Sequence, residues 1–481
     1  MERRQNNIDA IVVGAGPAGI SAALTIKRGG RNVVVLERAA NFGSKNMFGG
    51  AVYLNSIKSI LPETYQNAPY ERFIVNHSYS FLNDKGSIDI KAQDFEDKTT
   101  ATVLRPKFDS WLVDEAKKEG VFFAPKTLVK KLIFKNGTVI GVKTEQEKYF
   151  APIVIIADGA NSLLAREIGL RSEYFPKDMV LSVKETMKLD KNIMEERFHL
   201  DKNSKDGAMY EFFGGLTDFY GADILDTAGE NSINDAGGGV KGSVNGGAGG
   251  GAKFCLNKKG KKQITPFAIS FLYTFNDMIS LGLGVSLEDL SQYKINPNDL
   301  LEKLKSHPSV KNLIKDAETC EYSAHLIPEG GYNNLPKLYA SGVMVIGDAA
   351  GLINSAHFEG TNFAIESGKL AGETAIIALN LDNYKYNILK IYEEKLRRSF
   401  ILKDLKSYRN VVETIYSRKN SLLKYYPDKM GEFFHTLHCV DNKPKKAKFR
   451  AFAGKFFAQR SVIEMFRDIK AALRLFFDII C

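Results

Sequence analysis

The chain has 481 residues, 44% of them hydrophobic and 25% charged, which fits one large globular unit or a few intimate domains and excludes a disordered protein. Its four cysteines, Cys255, Cys320, Cys439 and Cys481, are scattered without a Cys-x-x-Cys pair. That excludes a zinc or iron–sulfur site built from this chain's cysteines alone, and it suits a reducing compartment. The formal net charge is +10, and residues 441–481 hold ten basic against four acidic residues. No nucleic-acid recognition motif accompanies that charge, and no apolar run approaches the ~20 residues of a membrane-spanning helix.

Arg3-Arg4 before an apolar stretch imitates a signal peptide, but the glycines that follow are placed for a turn, not a cleavage site. Ile11-Val12-Val13 reads as a short strand buried on both faces. Gly14-Ala15-Gly16-Pro17-Ala18-Gly19 then fits G-x-G-x-x-G, and a helix runs on until Gly29-Gly30. Val33-Val34-Val35-Leu36 is the next strand, closed by Glu37-Arg38. Glycines of this pattern permit a tight turn, leave room for a pyrophosphate and let the helix pack on the strand. An acid about 20 residues on can accept from a ribose hydroxyl. Strand, triplet, helix, strand and acid agree on a dinucleotide site; a bare structural turn is the competing reading.

Residues 41–50, with Gly43, Ser44, Lys45, Asn46, Gly49 and Gly50, suit a backbone passing close to a flat ligand, or a plain surface loop. Residues 77–92 alternate as strands. Thr102–Arg105 reads as a strand and Pro106 to Glu119 as a helix, with Phe108, Leu112, Val113 and Ala116 on one face. Thr127 to Thr144, which includes Val129, reads as a hairpin turning at Asn136-Gly137. Ile153–Ile156 is an apolar strand that ends in Ala157-Asp158-Gly159, and a helix with Arg166 follows. Residues 164–335 read as a second sheet domain, with strands at Met179–Leu189 and Ile269–Leu283 and a flexible glycine-rich insertion at 226–253.

Val343–Ile346 returns to the first unit and ends in Gly347-Asp348. Asp348 reads as a carboxylate for a ribityl chain, or as a helix N-cap. His357-Phe358-Glu359-Gly360-Thr361-Asn362 leads into a helix whose free N–H groups suit a phosphate or an anionic ring. His357 is either a proton donor or a structural histidine. In the tail, Lys445, Lys446, Lys448, Arg450, Lys455 and Arg460 interleave with phenylalanines. Residues 461–480 then repeat apolar positions at helical spacing. Such a tail lies on an anionic membrane surface or packs on the protein body.

The order Gly14–Gly19 with Glu37, then Ala157-Asp158-Gly159, then Gly347-Asp348 resembles the FAD-dependent glutathione-reductase-type superfamily. More closely, the chain resembles the electron-transfer flavoprotein:quinone oxidoreductases, in their bacterial FixC-like branch. Gly43–Gly50, Thr102–Leu112, Tyr322–Gly331 and Ser399–Leu405 carry that likeness. The insertion near 221–264 departs from it. The resemblance implies an α/β fold: a Rossmann-like FAD-binding domain of p-hydroxybenzoate-hydroxylase-like topology, an inserted mixed β-sheet domain and a helical C-terminal region. The expected FAD-binding segments are 1–78, 101–163 and 336–385. Residues 79–100 and 164–335 are expected in the second sheet domain, and 386–481 in the helical region.

The implied cofactor is FAD, held by Gly14, Gly16, Ala18, Gly19, Glu37, Arg38, Ser44, Lys45, Asn46, Gly49, Gly50, Arg105, Val129, Ala157, Asp158, Gly159, Gly347, Asp348, Gly360, Thr361 and Asn362, with no metal site. Arg105 reads as a fixed donor near the pyrophosphate or ribose, or as a surface ion pair. The implied partners are an electron-transfer flavoprotein, a quinone and a small ferredoxin-like iron–sulfur protein. The last stands in for the cluster that mitochondrial relatives carry in a C-terminal extension. His357–Gly360 looks like the branch found in bifurcating assemblies. The expected place is the cytoplasm, with the tail as a peripheral contact to the inner face of the membrane. A reductase of the geranylgeranyl type, an aromatic monooxygenase and a flavin-stabilised scaffold are the competing functions.

Overall fold

The computed structural model describes residues 8–480 apart from 45–46, 48–49, 84, 97, 217–218 and 221–262. The glycine-rich insertion and the candidates Lys45, Asn46 and Gly49 lie outside the described residues.

Apolar four-residue runs build the first sheet. Ala10–Val13, Val33–Leu36 and Ile153–Ile156 are buried at every position. Strands covered on both faces read as continuous apolar runs, and each such side chain contributes ~1.5–3 kcal/mol on burial. The sheet has six strands in the order Tyr339–Ala340, Val343–Val345, Ile153–Ile156, Ala10–Val13, Val33–Leu36 and Phe122–Ala124. All neighbours are parallel except the Tyr339–Ala340 edge. Helices Pro17–Arg28 and Thr361–Asn380 pack along each other beside it. A Cβ on Gly368 would run into the carbonyl of Ala18, so their approach depends on that glycine. The hairpin Val129–Lys135 and Thr138–Thr144 turns through Asn136 (φ 49°) and Gly137 (φ 76°), and it gains a third strand, Lys148–Phe150.

The second sheet is mixed. Its order is Glu318–Pro328, Met179–Lys188, Met278–Ser286, Ala268–Thr274, Asp206–Gly214, Arg72–Asn83, Thr100–Thr102 and Ala51–Tyr53, with Gly86–Gln93 also on Arg72–Asn83. Asp206–Gly214 pairs parallel to Arg72–Asn83, and the other pairs are antiparallel. Ala208, Phe212, Leu272, Leu281 and Leu283 face a separate core with Leu300, Leu301 and Leu304. Arg72, 1% exposed, ties this sheet together: its guanidinium donates to Asp206 O (2.8 Å), Asn276 O (3.1 Å) and Glu195 Oε1 (3.3 Å).

Three sequence expectations shift. The second sheet takes in Ala51–Tyr53 and residues 72–78, which the sequence placed in the first FAD-binding segment. A buried arginine at the start of a strand hides its alternation. The strand expected over Thr102–Arg105 ends at Thr102, because Arg105 is already helical. The single strand read over Ile269–Leu283 is two, Ala268–Thr274 and Met278–Ser286.

At the C-terminus, Tyr386–Arg398 and Phe400–Ser407 join the first core through Leu389, Tyr392, Leu396, Ile401, Leu402 and Leu405. Val411–Ser417, Tyr426–His438, Lys445–Ala458 and Val462–Ile480 follow. The last helix sits polar side in. Asp468, 3% exposed, accepts from Arg460 Nε (2.6 Å) and Tyr426 Oη (2.9 Å), and Glu464 pairs with Arg418 (3.0 Å). Ile463, Phe466, Ile469, Leu473, Phe476, Phe477 and Ile480 stay exposed. Among the described residues, no helix is long and apolar enough to cross a membrane.

Candidate functional site: a nucleotide cleft at the parallel strand ends

Three motifs far apart in sequence meet at the carboxyl ends of adjacent parallel strands. Val13 pairs with Ile156, and Ile156 with Val345, so Gly14, Ala157-Asp158 and Gly347-Asp348 leave the sheet side by side. Such an edge is where ligands bind in open α/β sheets. Gly14 has φ 108°, and a Cβ there would meet Ala157 O. A Cβ on Gly19 would run into Gly14 O, so the turn and the helix start are locked together. Gly16, by contrast, has nothing within 4 Å of where its Cβ would be. That leaves space over the first helix N-terminus, where backbone N–H groups favour an anion.

Glu37 closes the turn. Its Oε2 accepts from Ala15 N (2.9 Å) and its Oε1 from Ala39 N (2.8 Å). Thr127 N donates to Glu37 O (2.8 Å), which brings the start of the hairpin, and so Val129, to this edge. The Val129 side chain is buried in the core, and the residue pairs with Thr144 in the hairpin. Ala18 lies under Gly347, whose Cβ would be 3.0 Å from that of Ala18. Arg38 is exposed, and Ser44 is exposed and donates to Asn41 O (2.7 Å). Gly50 (φ 141°) is packed against Phe275 in the second sheet.

Acids and arginines concentrate between the two sheets. Asp158 is pushed up to about 6, chiefly by burial, against the pull of Leu164 N–H and the Arg171 charge. Burial also raises Asp348, and His325, Arg105 and Arg171 oppose that rise. Arg105 is not a surface pair: it clamps Asp109, itself fully buried, with Nε–Oδ1 and Nη2–Oδ2 both at 2.8 Å. Gly360 caps the helix Thr361–Asn380, and Asn362 Nδ2 donates to Glu359 Oε2 (3.1 Å).

Two of these residues expose the fit to a bound cofactor. Asp158 Oδ1 and Asn362 Oδ1 are buried without a hydrogen-bond partner. Unpaired buried oxygens cost ~1–3 kcal/mol each, and a ligand rich in hydroxyl and ring N–H groups satisfies them. With the open space at Gly16, the residues present fit a flavin dinucleotide.

Sequence reasoning missed Arg171 and His325. Arg171, 7% exposed, donates to Ala349 O (2.7 Å) and lies within reach of both Asp158 and Asp348. No sequence pattern singles it out. His325 is held low by burial and by the Arg105 and Arg38 charges, against Asp348. It stands in register with Ser182, on the strand Glu318–Pro328. The Tyr322–Gly331 segment was its only sequence signal.

Comparison with known proteins points to the same cofactor. Residues 9–58 match an FAD binding domain, and residues 413–476 match the ETF-QO/FixC family C-terminal domain. Protein FixC of Azorhizobium caulinodans is 31% identical over 96% of this chain and 97% of its own length. Protein FixC of Azotobacter vinelandii is 33% identical with the same coverage of both chains. The probable electron transfer flavoprotein-quinone oxidoreductase YdiS of Escherichia coli is 31% identical over 92% of each chain. Among solved structures, a geranylgeranyl bacteriochlorophyll reductase-like protein from Thermoplasma acidophilum superposes with TM-score 0.67 at 18% identity, over 94% of this chain and 97% of its own. The flavin-dependent brominase Bmp2 superposes with TM-score 0.58 at 15% identity, over 95% and 100%. At those identities the likeness extends to the fold alone. The cleft, the family profiles and relatives spanning nearly the whole chain agree: this chain belongs to the ETF-QO/FixC family of FAD-dependent oxidoreductases.

Proposed function

We propose that the protein takes electrons from an electron-transfer flavoprotein and delivers them to a quinone at a membrane surface. The supporting observation is the match of the C-terminal helices, residues 413–476, to the ETF-QO/FixC profile. The reductase and brominase neighbours share the sheets at low identity and lend support to no substrate. Bound FAD supplies hydride and single-electron chemistry. The chain supplies position and charge: Gly14–Gly19 and Glu37 for the dinucleotide, Asp158 and Asp348 for hydroxyls, and the helix start at Thr361–Asn362 for the ring.

The last helix supports the membrane part of the reading. Its polar side is anchored and its apolar stripe faces outward, with basic residues 445–460 beside it, as an interfacial helix requires. A separate ferredoxin-like protein is the proposed third partner, and His357–Gly360 supports a place in a bifurcating assembly. Anaerobic mixing tests the donor. Reduced electron-transfer flavoprotein bleaches the FAD absorbance at once, and NAD(P)H alone leaves it oxidised. Fast bleaching by NAD(P)H alone would move the assignment to the reductase or monooxygenase reading.

A further inference from the structure

The second sheet has one face that its core does not use. On the strand Asp206–Gly214, Ala208 and Phe212 point into the core, so Met209, Glu211 and Phe213 point the other way. Glu211 is 7% exposed. It stands in register with Tyr79 on one side and Phe271 on the other. Aromatic rings surround it: Phe213 stacks with Phe81 (5.5 Å) and Tyr79 (6.5 Å), and Phe271 stacks with Tyr273 (5.1 Å). Tyr79 is 40% exposed, so this aromatic wall opens to the surface.

A carboxyl in such a wall is anomalous. Burial lifts Glu211 to about 7, and among the described residues no hydrogen bond or opposite charge pulls it back. Among the described residues, the ionisable groups acting with it are the phenols of Tyr53, Tyr79 and Tyr273, each raised mainly by burial; Lys184, held low by burial, lies on the same face three strands along, in register beyond Gly282 and Phe271. Tyr53 also feels Glu359, whose Oε2 accepts from Asn362 at the start of the helix that serves the flavin ring. Charge coupling thus links Tyr53 to both Glu211 on the aromatic face and Glu359, the partner of Asn362 at the start of the helix Thr361–Asn380. A carboxyl lifted to about 7 holds its proton on a large share of molecules near neutral pH, as a general acid must.

We infer that Glu211 is the proton donor to the electron acceptor, a quinone bound against the aromatic face; this rests on the acceptor reading above. Reduction of a quinone to a quinol takes two electrons and two protons. The electrons and one proton come from the reduced, anionic cofactor, and the second proton comes from Glu211. Its O–H bond breaks as the quinol O–H bond forms, and the carboxylate is reprotonated from solvent. Matching the donor to the working pH is what general acid catalysis requires.

The test uses holoenzyme reduced anaerobically with dithionite. Ubiquinone-1 reoxidises it by a route that takes up a proton, and ferricenium by one that does not. Glu211→Gln is expected to slow the ubiquinone-1 reaction at least ~10-fold at pH 6. It should also erase the fall in rate between pH 6 and 8 and leave the ferricenium rate unchanged. Glu211→Asp should recover part of the rate. A readout free of turnover is dicyclohexylcarbodiimide, which modifies protonated carboxyls in apolar surroundings. Mass spectrometry should find the adduct on Glu211 at pH 6, less at pH 8.5, and less when ubiquinone-1 is present. An unchanged ubiquinone-1 rate and pH profile in Glu211→Gln would overturn the inference. So would equal slowing of both acceptors, which marks a structural role. If Glu211→Gln does not fold, absence of the adduct in the wild-type protein overturns it as well. Wild-type enzyme that ubiquinone-1 does not reoxidise sinks the acceptor reading itself.

Discussion

The two large sheets carry function in opposite ways. In the six-stranded sheet four strands are buried at every position, so their faces leave nothing free for chemistry. The site sits at the strand ends, in glycines and in the first acids beyond them. In the second sheet one face is a core and the other carries aromatics, Glu211 and Tyr273. The difference teaches where substitutions act. Changes at the first sheet's ends are expected to act through backbone fit and cofactor retention, and changes on the second sheet's free face through the proposed chemistry.

The largest expected effect breaks the first side of that contrast. Gly19→Val places side-chain atoms where Gly14 O lies, and the protein should lose both the fold of the nucleotide unit and its FAD. Gly16→Ala should separate the two losses. With nothing within 4 Å of the new methyl, it should melt near the wild-type temperature yet hold less FAD. The ratio of flavin to protein absorbance, read beside a thermal melt, distinguishes them.

Next is the buried arginine of the second sheet. Arg72→Ala leaves the buried Glu195 with only its longer contact to Lys191 (3.6 Å) and should cost ~3–5 kcal/mol in denaturant unfolding. The double substitution Arg72→Met with Glu195→Leu should restore much of that. A double variant no better than the single would place the cost in the carbonyls that Arg72 bridges.

Asp348→Ala should weaken FAD retention by ~1–3 kcal/mol, since a ligand hydroxyl loses its buried acceptor. Full occupancy after extended dialysis would remove Asp348 from the site. A pH series sharpens the second side of the contrast. Glu211 rises from 4.5 to about 7 on folding, so the native state holds more protons than the unfolded chain between those values. Stability therefore falls as pH rises through that window and levels off above about 7. Glu211→Gln should flatten the curve by on the order of 3 kcal/mol. Glu329, also lifted to about 7, keeps a residual slope in that variant.

Much of the first sheet was legible in the sequence, because its signals are contiguous. An apolar run meets a glycine turn at Ile11–Gly19, and an apolar run, a glycine and an acid occupy consecutive positions at Ile153–Gly159 and Val343–Asp348. The hairpin at Asn136-Gly137 was legible for the same reason. Arg171 was not, since it reaches the site only through the fold, from a segment with no pattern of its own. Glu211 was hidden differently. Tyr210-Glu211-Phe212-Phe213 is aromatic on both faces, so alternation does not show that the acid faces away from the core. The tail's apolar spacing was visible, but its orientation was not. Asp468 turns the polar side inward, and that is a fact of packing against Arg460 and Tyr426.

The central claim is that electrons pass from an electron-transfer flavoprotein, through this chain's FAD, to a quinone at a membrane. Its most direct test is quinol formation in anionic liposomes loaded with quinone, followed anaerobically after addition of the holoenzyme and reduced electron-transfer flavoprotein. The account predicts quinol only when enzyme and flavoprotein are both present. It also predicts a slower rate when residues 445–481 are deleted, with FAD still bound. Equal quinol formation with NAD(P)H as sole donor, or none with the flavoprotein, would contradict it.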